Sequence, residues 1–274
     1  YASIVPQVIY GFFGSSNQLS VGPTAMDSLL IGSGLVLLAS IGSKEYIELA
    51  IILSLLVGMI QALLGFMKVG FITQLLSRPI ISGFTSAAAI LIGLNQLGPL
   101  LRIQIDKGNL PVLLNSVFNN IIYADLLTSL IGLISIFSLF AFKKWIPKIP
   151  GNLIIVLSSI VLVQYFELHL LNLKVVGEIS EGLPSFNIPN LNLNKISSLL
   201  PLASTLAVIS FIESFSVSKK IDTKSRGIKL NANTELVALG SANFIGSFFM
   251  SFPVTGGFGR SAVNYMAGAQ TPFS

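Results

Sequence analysis

A chain of 274 residues with 53% apolar and only 10% charged residues, and a mean hydropathy of +0.82, excludes a soluble domain. So few charges cannot cover the surface of a chain this size. The net charge of +5 does not indicate nucleic acid, because the basic residues lie between long apolar runs and not on one face of a polar module. With no cysteine, disulfides and thiolate metal sites are excluded as well.

A membrane helix needs roughly 20 mainly apolar residues. In chain order, such runs predict a truncated helix over 1–13, then spans near 23–41, 46–67, 79–98, 121–142, 150–168, 198–218 and 234–252, with a further helix starting near 257. The start at Tyr1 inside an apolar stretch, and the end at Ser274 soon after a helix start, read as a middle section of a longer chain. Connections are short apart from 99–120 and 169–197. The second is rich in Pro, Asn and Gly (Glu181-Gly182-Leu183-Pro184, then Asn187 to Asn194), which predicts an ordered external loop.

Loop charges give the orientation. One set of loops carries Lys68, Arg78, Lys143, Lys144, Lys148, Lys219, Lys220, Lys224, Arg226 and Lys229; the alternate set carries Lys44, Arg102, Lys107, Lys174 and Lys195. The excess, ten against five, marks the cytoplasmic side. Trp145, beside Lys143 and Lys144, suits an interfacial anchor. The reading is a multi-pass protein of the cell membrane, with the lipid bilayer as its solvent.

Ionisable groups at membrane depth cost about 2.5 to 3.5 kcal/mol at a helix centre, so each needs a reason. Glu48, close to Lys44 and Glu45 at a helix end, reads as interfacial and solvated. Glu213 lies deep in Phe211-Ile212-Glu213-Ser214-Phe215-Ser216, where Ser214, Ser216 and Ser218 point to a wet cavity. Asp27 reads either as a functional carboxyl or as a contact for backbone donors near a helix start.

Arg260 is the strongest signal. It follows Phe252-Pro253-Val254-Thr255-Gly256-Gly257-Phe258-Gly259, which cannot be an uninterrupted helix. Broken backbone at membrane depth is tolerated only where it is buried in protein or lines a cavity. A helix starting there points free N–H groups and about half a positive charge at the occupant of that cavity. An arginine in its first turn makes an anion site. A second break, Gln18-Leu19-Ser20-Val21-Gly22-Pro23-Thr24-Ala25, runs extended, then Gly-Pro, then helix, with Pro23 expected in the first helical turn. Paired interrupted segments are the sequence mark of a transporter site between inverted repeats. His169 is the only histidine and has no metal-ligand or nucleophile partner in the pattern. Neither an enzyme, nor a cofactor, nor a metal site is expected.

Five segments resemble signatures of the sulfate permease (SulP) anion transporter family, in family order. They are Leu19 to Ala25; Leu76-Ser77-Arg78-Pro79-Ile80-Ile81-Ser82-Gly83-Phe84-Thr85-Ser86-Ala87-Ala88; Ser210 to Ser214; Asn233-Thr234-Glu235-Leu236-Val237-Ala238-Leu239-Gly240; and Phe252 to Asn264. The resemblance implies an all-α polytopic membrane protein. This chain would be a fragment of a 7+7 inverted-repeat transporter, with two broken helices meeting at a central anion site. It further implies a core domain in 1–78 and 198–274, gate helices in 79–168 and an extracellular loop over 169–197. The full-length form would be a homodimer, usually with a cytoplasmic STAS domain.

Carried over from the family, Pro23, Thr24, Phe258, Gly259 and Arg260 would bind a small inorganic anion. Glu213 would be a coupling or structural acid. Gly259 stands where many relatives have a hydroxyl residue, and Asp27 occupies a position that is mostly apolar. Asp27 favours coupling to H⁺ or Na⁺ over simple exchange. The implied function is secondary transport of sulfate or a bicarbonate-like anion by symport or exchange, the core moving against the gate. A nucleobase permease of the same architecture and a passive anion channel are the alternatives.

Overall fold

The long apolar runs fold as helices because in hydrocarbon only intra-segment hydrogen bonds satisfy every backbone group. A computed structural model of the chain describes residues 2–40, 42–71, 78–106, 110–146, 151–168, 173, 175, 182–222 and 230–273. His169, Leu76, Ser77, Lys107, Lys148, Lys174, Glu181, Lys224, Arg226 and Lys229 lie outside the described residues. Two compact units form: Tyr1–Gly83 with Gly182–Ser274, and Phe84–Glu181.

The first unit begins with α1 (Val5–Phe13), β1 (Val21–Gly22), α2 (Ala25–Leu35) and α3 (Lys44–Phe66). It resumes with α8 (Leu193–Asp222), α9 (Ala232–Ser247), β2 (Thr255–Gly256) and α10 (Phe258–Met266). Helices α3 and α8 have the length and apolarity to cross a membrane. By contrast α2 and α10, of 11 and 9 residues, reach only about half-way at 1.5 Å per residue.

Two apolar clusters hold the unit. One joins α2, α3 and α8 through Ile31, Leu35, Leu53, Leu199 and Leu206. The other joins α1, β1, α8, α9 and the residue ahead of β2 through Tyr10, Val21, Phe211, Leu236, Leu239 and Val254. Where α3 crosses α9, Gly58 and Gly240 bring the two backbones together: a Cβ on Gly240 would stand 2.5 Å from Ala62 N and 2.8 Å from Gly58 O. Small residues at such crossings allow the close approach on which membrane helix packing depends.

The expected run 234–252 is not one helix. α9 stops at Ser247, Met250 takes a positive φ of 57°, and the chain then extends into β2. Pro253 disfavours helix at Phe252, which keeps the stretch leading into β2 from resuming the helix. The loop ahead of α8 is tied down where it is described. Asn187 N donates to Phe248 O (2.7 Å), and Phe186 stacks on Phe248. Glu48, expected to be solvated, is instead ion-paired with Lys195 at 2.8 Å. A partly exposed pair of this kind is worth about 0–1 kcal/mol.

The second unit holds most of α4 (Arg78–Leu101), then α5 (Leu110–Asn120), α6 (Leu126–Trp145) and α7 (Gly151–Tyr165). α5 falls in the stretch 99–120 that the apolar pattern leaves as a connection, because 11 residues are too short to register as a span. It is held by the buried Leu113 and by Ser116, whose Oγ accepts from Asp106 N at 2.9 Å. Helices α6 and α7 bury no residue among those described, as suits faces turned to lipid or to neighbouring helices. Trp145 ends α6 and is 75% exposed, in keeping with an interfacial anchor.

Asp125 caps α6: its carboxylate accepts from the Thr128 hydroxyl and from Thr128 N at 2.9 Å, with Arg102 3.8 Å away. The Thr128 hydroxyl first, its N–H second, and Arg102 to a lesser degree hold the Asp125 carboxyl below its ordinary value of 3.8. A depressed folded-state value means that the stabilisation is present above the unfolded value and is lost as pH falls through the folded one. Thermal unfolding in detergent should therefore show the wild type losing its advantage over Asp125→Ala below about pH 4. A gap between the two that did not change with pH would show that the charged cap does not stabilise α6.

Candidate functional site

Both interrupted segments meet. β1 and β2 pair antiparallel with Val21 opposite Gly256 and Gly22 opposite Thr255, and Gly257 N donates to Ser20 O at 3.0 Å. Each strand runs directly into a short helix, α2 or α10, so two helix N-termini start from one two-stranded ribbon.

Pro23, expected within the first turn of α2, stands one residue before the helix cap. Thr24 is the cap: it has extended backbone, and its Oγ1 accepts from Asp27 N at 3.3 Å. Proline pushes the residue before it into extended backbone, which places Gly22 in β1 and leaves the capping position to a residue with a side-chain oxygen. α10 has no such cap, because Gly257 in the equivalent position brings no side chain. Its first turn carries Phe258, Gly259 and Arg260.

Arg260 reaches across the ribbon. Its Nη2 donates to Pro23 O at 3.3 Å, and a Cβ on Gly22 would collide with its guanidinium. Glycine at position 22 therefore makes room for the arginine. A Cβ on Gly259 would meet nothing within 4 Å, so a hydroxyl residue there finds no obstacle.

Side chains from α8 and α9 satisfy the broken backbone. Ser214 Oγ accepts from Gly256 N (2.7 Å) and shares a 2.7 Å hydrogen bond with Thr255 Oγ1, which also donates to Ser210 O at 2.7 Å. Asn243 clamps the approach to β2, with Oδ1 accepting from Val254 N (2.8 Å) and Nδ2 donating to Val254 O (3.0 Å). Gln61 from α3 accepts from Asn243 Nδ2 at 3.1 Å and donates to Ser210 Oγ at 2.9 Å. These bonds change the reading of the serines on α8. Ser214 is fully buried and braces β2, while Ser216 donates to Ile212 O of its own helix; neither lines a wet cavity.

The two candidate coupling acids flank this assembly. Asp27 in the first turn of α2 is 1% exposed, and neither of its carboxylate oxygens has a hydrogen-bond partner among the described residues. Glu213 is only partly buried, yet its Oε2 is enclosed and likewise without a partner among them.

A third acid carries no functional expectation from the sequence. Glu235, in the first turn of α9, is fully buried. It accepts from Tyr10 Oη (2.7 Å), Ser15 N (2.8 Å), Ser15 Oγ (2.6 Å) and Ser16 N (3.2 Å). Those four donors satisfy it, so it ties the end of α1 to α9 and is structural. Its signal is a carboxylate inside an apolar stretch, in the turn that follows the α9 cap Asn231, where the helix N-terminus favours negative charge.

The sequence model of the sulfate permease family matches residues 1–274. Sulfate transporter 4.1, chloroplastic, of Arabidopsis thaliana is 33% identical over 299 residues, covering 100% of this chain and 41% of that protein. A probable sulfate transporter of Mycobacterium tuberculosis is 30% identical over 271 residues, covering 99% of this chain and 48% of that one. The chain thus spans less than half the length of these curated relatives. Among solved structures, the overall structure of SLC26A9 superimposes with a TM-score of 0.83 at 24% identity, over 100% of this chain and 46% of that one. The transmembrane domain of the cyanobacterium bicarbonate transporter BicA gives 0.75 at 23% identity, over 99% and 71%. At such identities the likeness is one of fold: a helical, multi-pass membrane domain of the inverted-repeat type.

Proposed function

The chain belongs to the sulfate permease family, and on that premise we propose that it is part of a secondary transporter for small inorganic anions, sulfate or bicarbonate-like. One observation carries the reading. The paired breaks bring the starts of α2 and α10 together with Arg260 reaching from one to the other, and such a cluster of positive potential at membrane depth is favourable when an anion occupies it. In this reading Pro23, Thr24, Phe258, Gly259 and Arg260 surround the anion, and Glu213 and Asp27 hold a coupling H⁺ or Na⁺. Residues 1–78 and 198–274 act as the core and 79–168 as the gate, the loop over 169–197 faces outward, and the full-length protein works as a homodimer by symport or exchange. Arg260 argues against a nucleobase permease, whose neutral substrate gives an arginine nothing to neutralise. A passive channel is separated by experiment, since it cannot concentrate its ion.

The test uses the full-length protein in proteoliposomes, with labelled anions and with or without Na⁺ and pH gradients. Arg260→Ala is expected to weaken anion binding by about 1 to 3 kcal/mol, the range of a charge-assisted hydrogen bond, or roughly 5- to 150-fold. Gly22→Ala, which displaces the guanidinium without removing it, should weaken binding in the same direction by less. Unchanged affinity for Arg260→Ala in a calorimetric titration takes Arg260 out of the site. Equilibration without uptake against a gradient supports the channel.

A further inference from the structure

We infer that the start of α10 reads the protonation state of its anion: it takes fully deprotonated oxyanions, rejects those that carry an O–H, and owes this to Gly259. The inference rests on the anion reading above and narrows it, away from bicarbonate. A helix start offers N–H donors. In α10 the first N–H to find a carbonyl of its own helix is that of Ser261, which donates to Gly257 O at 3.1 Å, and no side chain caps the turn. The N–H groups of Phe258, Gly259 and Arg260 therefore stay open among the described residues. At the start of α2 the Thr24 hydroxyl accepts from Asp27 N, which leaves its own proton for another acceptor.

The acceptors at the same place are committed. A carbonyl oxygen has two lone pairs. Gly257 O receives both the N–H and the hydroxyl of Ser261, the latter at 2.7 Å. Thr24 O receives both the N–H (3.0 Å) and the hydroxyl (2.6 Å) of Ser28. Pro23 O takes Arg260 Nη2, and Ser20 O takes Gly257 N. In the anion reading Glu213 and Asp27 serve the coupling cation, and Asp27, at 1% exposure, offers no acceptor at the surface. An anion whose every oxygen accepts matches such a place. One that carries an O–H brings a donor to donors, and a donor left unpaired bears the full cost of its desolvation. A hydroxyl residue at position 259 would mend the mismatch, since a hydroxyl accepts as well as donates. Gly259 is exposed and a Cβ on it would meet nothing within 4 Å, so lack of space does not explain the missing side chain.

The test separates the proton from charge and shape. Calorimetry on the full-length protein at mildly alkaline pH compares sulfate, hydrogenphosphate and monofluorophosphate. These are tetrahedral anions that all carry two charges there, and only hydrogenphosphate has an O–H. Sulfate and monofluorophosphate should bind alike, and hydrogenphosphate roughly 5- to 150-fold more weakly, the effect of one unpaired donor. Nitrate against bicarbonate, both planar and singly charged, should show the same order. Gly259→Ser should bring hydrogenphosphate several-fold closer to sulfate, and Gly259→Ala should not. Hydrogenphosphate binding as tightly as sulfate overturns the inference and leaves the anion site standing. Monofluorophosphate as weak as hydrogenphosphate does the same, since shape would then be the criterion. A gap unchanged in Gly259→Ser, or narrowed equally by Gly259→Ala, overturns the role of Gly259. If none of these anions binds, the anion reading falls and this inference with it.

Discussion

Full-length protein carrying Glu213→Gln is expected to bind anion with wild-type affinity and to accumulate none under a pH or Na⁺ gradient. Coupling needs a group that takes up and releases charge as the transporter moves, and a carboxyl does this only while it can ionise. Glutamine keeps the size and the hydrogen-bonding oxygen but not the charge. Glu213 combines the two properties that coupling demands. One oxygen is enclosed without a partner among the described residues, yet the residue as a whole is not shut off from the surface. Asp27 has the first property and, at 1% exposure, not the second. Asp27→Asn should therefore shift the gradient at which accumulation saturates while leaving accumulation itself in place. The measurement is internal against external labelled anion at steady state, alongside calorimetric binding. If Glu213→Gln still concentrates anion under the same gradient, Glu213 is a structural acid.

The difference between Glu213 and Glu235 shows what a sequence of this kind reveals. Both carboxyls lie in apolar stretches, and nothing in the spacing tells a satisfied one from an unsatisfied one. The four donors of Glu235 come from Tyr10, Ser15 and Ser16, at the far end of the chain. The long spans α3, α6 and α8 are legible because an apolar run of that length has few other folds, and the two breaks are legible because Pro and Gly forbid a continuous helix. That the breaks pair as a ribbon depends on contacts such as Val21 with Gly256, which no local pattern carries. Ser214 is misread from sequence for the same reason. A serine in an apolar helix signals a polar partner, but whether that partner is water or the N–H of Gly256 is decided by the neighbouring element. α5 escapes notice because a short helix resembles a loop when length is the criterion.

The largest structural effect is expected where α3 crosses α9. Gly58→Leu should leave the helices inserted, since each satisfies its own backbone, but should prevent the first unit from packing. A Cβ on Gly58 collides with Phe244 N and stands 2.7 Å from both Gly240 O and Phe244 Cα. These are backbone atoms of a helix, and they cannot swing aside as the end of a side chain does. Overpacking of an ordinary core costs about 1 to 3 kcal/mol, and here the whole of α9 must move away from α3, so the loss should reach or exceed that upper end. The displacement also carries to the site. Asn243 and Gln61 join α9 and α3, and Asn243 grips Val254 on the way to β2, so separating the helices loosens the ribbon that holds Arg260 at Pro23. The milder Gly58→Ala should accordingly lose anion affinity before it loses the fold. Size-exclusion profiles in detergent report the fold and calorimetric titration reports the site. A monodisperse Gly58→Leu protein with wild-type affinity would show that the crossing is slack and that the site does not depend on it.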